Sequence, residues 1–266
     1  MLAISDAIAR TKNELAFIPF ITVGYPNIDM TKEVIYILDQ EQVDAIELGI
    51  PYSDALADGP IIQQASSRAL SQDIHIAQVL SCIEDVKPKI KIPLIIFTYF
   101  NPILFYGLNR FVNSIAILGV KGLIIPDLPL EESEYLVALC NYYRIELIFF
   151  LSPTSSEKRV NSVIARAPGL IYLVSSYGVT GLKRGLTNRK ILEFLTKSIK
   201  SRAKNHIILG FGISSTEQVN LIRKSEICVD GLVIGSALVD KITASKNSGS
   251  FEHLVSFCRN IKCILK

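Results

Sequence analysis

Apolar residues fall into two alternating patterns along this chain. Short, continuous runs rich in β-branched residues recur eight times: Ala16–Val23, Ala45–Ile50, Leu94–Tyr99, Gly122–Ile125, Glu146–Leu151, Leu170–Ser175, Ile207–Phe211 and Gly231–Ile234. Runs without a polar alternate predict strands buried on both faces, as in a parallel sheet. Between them, apolar residues recur at helical spacing over Thr31–Gln42, Ile76–Val86, Leu108–Leu118, Glu131–Tyr143, Glu157–Ala167, Arg189–Ile199, Thr216–Lys224 and, last, Phe251–Leu265. Extra helical material lies at Ile61–Leu70, and another helix starts at Ser236. Met1 to Lys12, with Asp6, Arg10 and Lys12 around a short apolar stripe, reads as a surface helix, and Ala244–Ser250 as a surface loop. Eight such units predict an α/β fold, a (β/α)₈ barrel with extra helices, as a single domain over residues 1–266. A doubly wound open sheet is the competing architecture.

Composition supports one large core, with 49% hydrophobic residues among 266. Charged residues are interleaved, the net charge is only +3, and no Lys/Arg tract carries interleaved aromatics, which argues against a nucleic-acid partner. Cys82, Cys140, Cys228, Cys258 and Cys263 are odd in number and form no CxxC pair, so buried or half-buried thiols in a reducing compartment are expected rather than disulfides or a metal site. The histidines, His75, His206 and His253, are scattered and suggest neither a triad nor a zinc centre. Apolar runs such as Ile92–Phe97 are too short to span a bilayer, and the N-terminal stretch resembles neither a signal nor a transit peptide. A soluble protein is expected. Abundant Ile, Lys and Asn and the absence of Trp fit an A/T-rich coding genome, which leaves bacterial-type cytoplasm and plastid stroma both open.

In such barrels functional groups gather where strands end and βα loops begin. The second run ends in Glu47-Leu-Gly-Ile-Pro51, and Asp58 follows in a loop punctuated by Gly59 and Pro60. An acid among Ala, Ile and Leu carries a large desolvation cost, so Glu47 either serves chemistry or is paired with a local partner. Asp58 is either functional or a turn former. The seventh run ends in Gly210-Phe-Gly-Ile-Ser214 and the eighth in Gly235-Ser236 at a helix start. Glycines there let backbone N–H groups approach a phosphate, and the helix dipole favours the anion; tight turns alone are the alternative. Ser175 to Gly185 holds three glycines and reads as a mobile lid or as a long surface loop. From the residues alone, this is a phosphate-binding barrel enzyme that uses carboxylates for acid–base work.

At these positions the sequence resembles the tryptophan synthase α-subunit family. The matching segments are Pro19–Pro26, Glu47–Pro51, Ser53-Asp54, Leu56-Ala-Asp-Gly-Pro60, Gly119-Val120, Pro126-Asp-Leu-Pro129, Gly178-Val-Thr-Gly181, Gly210–Ser214 and Gly235-Ser-Ala237, in family order along essentially the whole chain. The Glu-Leu-Gly-x-Pro and Leu-Ala-Asp-Gly-Pro pair is the most specific. The resemblance implies a lyase of tryptophan biosynthesis that cleaves indole-3-glycerol phosphate into indole and D-glyceraldehyde 3-phosphate. It implies Glu47 as general acid/base and Asp58 as hydrogen-bond acceptor of the indole N–H. Tyr172 would line the site near Glu47, with Phe20 and Thr22 beside the indole pocket. Gly181, Gly212, Gly235 and Ser236 would donate N–H groups to the phosphate, and Thr180 would set the lid against Asp58. It further implies no cofactor or metal in this chain, and indole passing to a β subunit that holds pyridoxal phosphate. The assembly would be a tetramer of two α and two β chains, with the loop around Asp54 at the interface.

Two positions depart from that family. Ala55 stands where the family usually has Pro, which should loosen the loop, and Ser176 replaces a basic residue found in some members. A stand-alone lyase releasing free indole and a catalytically silent subunit that activates a partner remain the alternatives, together with a phosphosugar isomerase on fold grounds alone.

Overall fold

In a computed structural model, which describes residues 3–11, 14–174 and 185–266, the eight apolar runs are eight parallel strands. They are β1 (Ala16–Thr22), β2 (Ile46–Gly49), β3 (Leu94–Phe97), β4 (Gly122–Ile124), β5 (Glu146–Leu151), β6 (Leu170–Val174), β7 (His206–Gly210) and β8 (Gly231–Ile234). Each pairs with the next and β8 returns to β1, so the sheet is a closed barrel and the open-sheet alternative falls away. The helices among the described residues are α1 (Ala3–Ala9), α2 (Ile28–Gln40), α3 (Pro60–Leu70), α4 (Ile76–Val86), α5 (Phe100–Tyr106), α6 (Leu108–Ile117), α7 (Glu134–Tyr142), α8 (Glu157–Arg166), α9 (Gly185–Arg202), α10 (Thr216–Arg223), α11 (Ser236–Ser248) and α12 (Glu252–Leu265).

The continuous hydrophobicity of the strands has a direct cause here. Successive side chains point to opposite faces of a strand, and in this barrel both faces are buried. Along β1, Phe17 and Ile21 join the outer layer packed against helices, while Ala16, Ile18 and Phe20 fill the interior. Register then aligns Phe20 with Glu47, and Glu47 with Ile95, on neighbouring strands. One acid is thereby placed on the inner row among apolar neighbours.

Three expectations are corrected. The N-terminal helix is not a surface helix: Ile4 and Ile8 are buried with the barrel-interior cluster, and Ser5 donates to Glu146 Oε1 at 2.6 Å through its hydroxyl. A barrel whose inner row is apolar needs its N-terminal mouth covered, and a seven-residue stripe does not reveal in sequence which surface it covers. Residues 244–248 are not loop but the last turns of α11, which stops at Gly249 in the left-handed conformation (φ 69°). Ser and Asn lower helix propensity only modestly, whereas a C-terminal glycine ends the helix outright. Helix α5, unannounced by any long amphipathic pattern, is seven residues long with one buried residue, Ile103. Of the cysteines, Cys82, Cys140 and Cys258 are buried and Cys228 half-buried as expected, but Cys263 is exposed; all five are free thiols. None of the described helices is long and apolar enough to cross a membrane.

Candidate active site

A cavity of about 500 Å³ opens among the ends of the strands. Its lining includes Phe20, Glu47, Asp58, Tyr172, Gly212, Gly235 and Ser236, so residues far apart in sequence converge on one space. Thr22 is buried with its hydroxyl oxygen unpartnered, but it is not among the described residues lining the cavity. Asp54 is exposed and accepts from Ser53 Oγ at 2.7 Å, away from the cavity. Thr180, Gly181, Ser176 and most of the predicted lid at 175–185 lie outside the described residues.

Glu47 has lost 99% of its exposure, and its Oε2 has no hydrogen-bond partner. The local pairing that would make it merely structural is therefore not seen at that oxygen. Burial, reinforced by the nearby Asp58 carboxylate, pushes Glu47 up to about 8 from an ordinary 4.5. Such a group is a protonated acid at neutral pH and a competent base once ionised. Asp58 is also buried, and burial pushes it up to about 6 against the pull of a hydrogen bond from Tyr99. Two carboxyl groups in one apolar cavity with separated affinities are suited to different protonation states.

The Asp58 loop is pinned by backbone and side-chain hydrogen bonds around Ala55. Ala55 is buried, its carbonyl accepts from Asp58 N (3.1 Å) and from Gln63 Nε2 (3.1 Å), and Gln63 also reaches the Asp58 carbonyl at 3.1 Å. The Asp58 turn is therefore held by hydrogen bonds on both sides of the loop.

Between the carboxyls and the glycines stands a wall of rings. Tyr172 packs 4.8 Å from Phe150 and 5.6 Å from Phe211, and Phe97 meets Phe20 edge-on at 5.7 Å. Offset and edge-on rings of this kind form a flat, apolar slot for another aromatic ring. Close packing explains two glycines. A β-carbon at Gly49 would stand 2.6 Å from Phe20 Cζ, and one at Gly210 would collide with the Tyr172 hydroxyl.

At the far wall, Phe211 and Gly212 both have positive φ (65° and 79°). A bulky residue rarely holds that conformation, and such strain clusters at binding loops. Gly235 is the N-cap of α11 and Ser236 its first residue, so a helix N-terminus adjoins the same cavity. A helix N-terminus favours an anion through its dipole and its backbone N–H groups, and no Lys or Arg is among the described lining residues.

Tyr99, Phe97, Phe150 and Phe211 were not singled out from sequence. The signal was present: Ile95, Phe97 and Tyr99 alternate by two, which keeps all three on the inner row. His206, by contrast, lies far from this cavity, 3.4 Å from Asp230, whose carboxylate also meets Lys200 at 2.5 Å.

A family model described as "Tryptophan synthase alpha chain" matches residues 7–265. The tryptophan synthase alpha chain of Pyropia yezoensis is 48% identical over 262 residues, covering 98% of each chain. That of Synechococcus elongatus is 41% identical, covering 98% of this chain and 96% of its relative. Among solved structures, tryptophan synthase subunit alpha from Legionella pneumophila superposes with a TM-score of 0.88 at 27% identity, covering 100% of this chain and 98% of the other. Tryptophan synthase from M. tuberculosis in its aminoacrylate-bound form gives 0.86 at 25% identity, covering 100% of both chains.

Proposed function

The chain belongs to the tryptophan synthase alpha chain family, and from that premise we propose that Glu47 and Asp58 carry out its reaction as an acid–base pair. The chain is a carbon–carbon lyase that cleaves indole-3-glycerol phosphate in tryptophan biosynthesis. The observation that supports the assignment is the Glu47 carboxyl, buried in an apolar barrel with an unpartnered oxygen and opening onto the substrate-sized cavity.

Protonated Glu47 delivers its proton to the indole ring carbon that bears the glycerol chain. Positive charge develops on the ring nitrogen, and the Asp58 carboxylate accepts a hydrogen bond from that N–H. Glu47, now ionised, removes the proton of the adjacent glycerol hydroxyl. The C–C bond breaks, its electron pair restores the aromatic ring, and the hydroxyl carbon becomes the aldehyde of D-glyceraldehyde 3-phosphate. Glu47 ends protonated, ready for another turnover. Each positioned proton transfer contributes about 10²–10⁴-fold. Tyr172, Phe20 and Thr22 are proposed beside the indole, Gly212, Gly235 and Ser236 at the phosphate, and Thr180 and Gly181 in the closing segment.

The whole chain, residues 1–266, is taken as one barrel domain needing neither metal nor organic cofactor. Family membership implies a β-subunit partner. We place that partner, holding pyridoxal phosphate in a tetramer of two α and two β chains, on the rim around Asp54. Leu56 (87% exposed), Leu104 and Phe105 (97% exposed) stand on that rim, where Asn101 Nδ2 reaches Tyr52 OH at 3.5 Å. Relatives from red algae and cyanobacteria favour plastid stroma or bacterial-type cytoplasm.

Indole release from indole-3-glycerol phosphate, measured with the purified chain alone and with a tryptophan synthase β subunit added, tests the reading. Slow release that rises sharply with the β subunit, and is lost in Glu47→Gln, is expected. Fast release indifferent to it would favour a stand-alone lyase, and no indole under either condition would overturn the assignment of Glu47 and Asp58.

A further inference from the structure

The reaction scheme uses Glu47 and Asp58 but leaves a third buried polar group unused. Tyr99, only 3% exposed, directs its hydroxyl at the Asp58 loop twice. It donates to Asp58 Oδ2 at 3.2 Å and accepts from Ala57 N at 3.0 Å. Its ring is held in place by Tyr52 at 5.1 Å and by Phe97 edge-on at 6.1 Å. It is also the N-cap residue of α5, and the next amide, Phe100 N, donates to Asp127 Oδ1 at 2.9 Å. The start of α5, the β4–α7 connection and the Asp58 loop are thus joined through one side chain and one capping carboxylate.

We infer that Tyr99 is the positioning residue for Asp58: its hydroxyl sets where the carboxylate stands, and its place at the head of α5 makes that position answer to the helix. The inference rests on the reading that Asp58 acts on the substrate. The physical case is that a carboxylate in a low-dielectric cavity is held ionised only by the donors that reach it. Glu47 and Tyr172 face Asp58 across the cavity. Glu47 is protonated or repels it, and no Lys or Arg is among the described lining residues. Among the described residues, that leaves the Tyr99 hydroxyl as the side-chain donor that favours the anion. Burial first, then the Asp58 carboxylate and more weakly Asp127, discourage ionisation of the phenol and keep it a donor. Helix α5 carries the exposed Leu104 and Phe105, so a load on its outer face reaches Asp58 through two bonds.

Tyr99→Phe keeps the ring and removes only the hydroxyl. The expected result is about a tenfold fall in kcat with KM changed less than about twofold, since a bond to a charged group is lost. The acidic limb of the pH–rate profile moves to higher pH, because Asp58 loses the donor that favoured its ionised form. In an Asp58→Asn background the same change costs less than about twofold, as coupled residues require. Asp127→Ala, which leaves the hydroxyl in place but frees the first turn of α5, moves the limb in the same direction by less. An unmoved acidic limb in Tyr99→Phe, or an equal loss in the Asp58→Asn background, would overturn the role of Tyr99. A limb unmoved by Asp127→Ala would overturn its link to α5. Wild-type turnover in Asp58→Asn itself would instead sink the prior reading of Asp58.

Discussion

At the scale of single residues, the chain spends stability on one carboxyl. Glu47 ionises near 4.5 in ordinary surroundings and near 8 in the fold, so the unfolded chain releases its proton first as pH rises. Folding stability from this group is therefore intact below about 4.5, falls through the interval and is fully lost above about 8. Glu47→Gln lacks that proton, so its melting temperature should exceed the wild type's at pH 8–9, by an amount equivalent to on the order of a few kcal/mol, and match it near pH 4. Melting temperatures that differ equally at all pH values would count against a protonated Glu47. Activity should trace a bell, rising as Asp58 ionises near 6 and falling as Glu47 ionises near 8. A plateau continuing above pH 9 would exclude Glu47 as the initial acid.

At the scale of elements, the two ends of the barrel are finished differently. The C-terminal end is left open as a cavity, whereas α1 closes the other with Ile4, Ile8 and the Ser5–Glu146 contact. Glu146 is fully buried, and burial raises its affinity for a proton while Ser5 opposes the shift through its hydroxyl and its backbone N–H. Ser5→Ala should lower stability by about 1–3 kcal/mol in urea titrations at neutral pH, leaving a buried carboxyl short of a donor. Indole release by the folded variant should be unchanged, since the contact lies at the closed end. A midpoint equal to the wild type's would mean that α1 is held by its isoleucines alone.

At the scale of the whole molecule, the proposed chemistry and the proposed partner surface share one rim. Phe105 and Leu56 are exposed there and line no part of the reaction scheme through their side-chain chemistry, although Leu56 borders the cavity mouth. Phe105→Ser should leave the basal rate of the isolated chain unchanged and raise at least about tenfold the β-subunit concentration needed for stimulation, as for a large exposed aromatic anchor. Unaltered stimulation would move the interface off α5. Across the same rim the proposed phosphate end joins Gly212 to the N-terminus of α11, with no Lys or Arg among the described lining residues.

How much of this was legible follows from how far each signal travels along the chain. The eight strands show in sequence because burial on both faces demands continuous apolar runs, and the alternation with helices identifies the barrel. Glu47 stands out as an acid inside an apolar strand, and Gly210, Gly212 and Gly235 as glycines at strand ends, whereas the roles expected of Asp58 and Ser236 came from the resemblance to the family. Tertiary structure alone decided the rest. It brought Tyr99 to Asp58 across 41 positions and Ser5 to Glu146 across 141, and no local period encodes such contacts. It turned α1 (Ala3–Ala9) from part of an expected surface helix into a plug, because an amphipathic stripe records that a face is covered and not by what. It also converted Phe97, Phe150 and Phe211 from core hydrophobes into the wall of a ring-shaped slot, since only barrel closure brings the ends of β3, β5 and β7 to a common space.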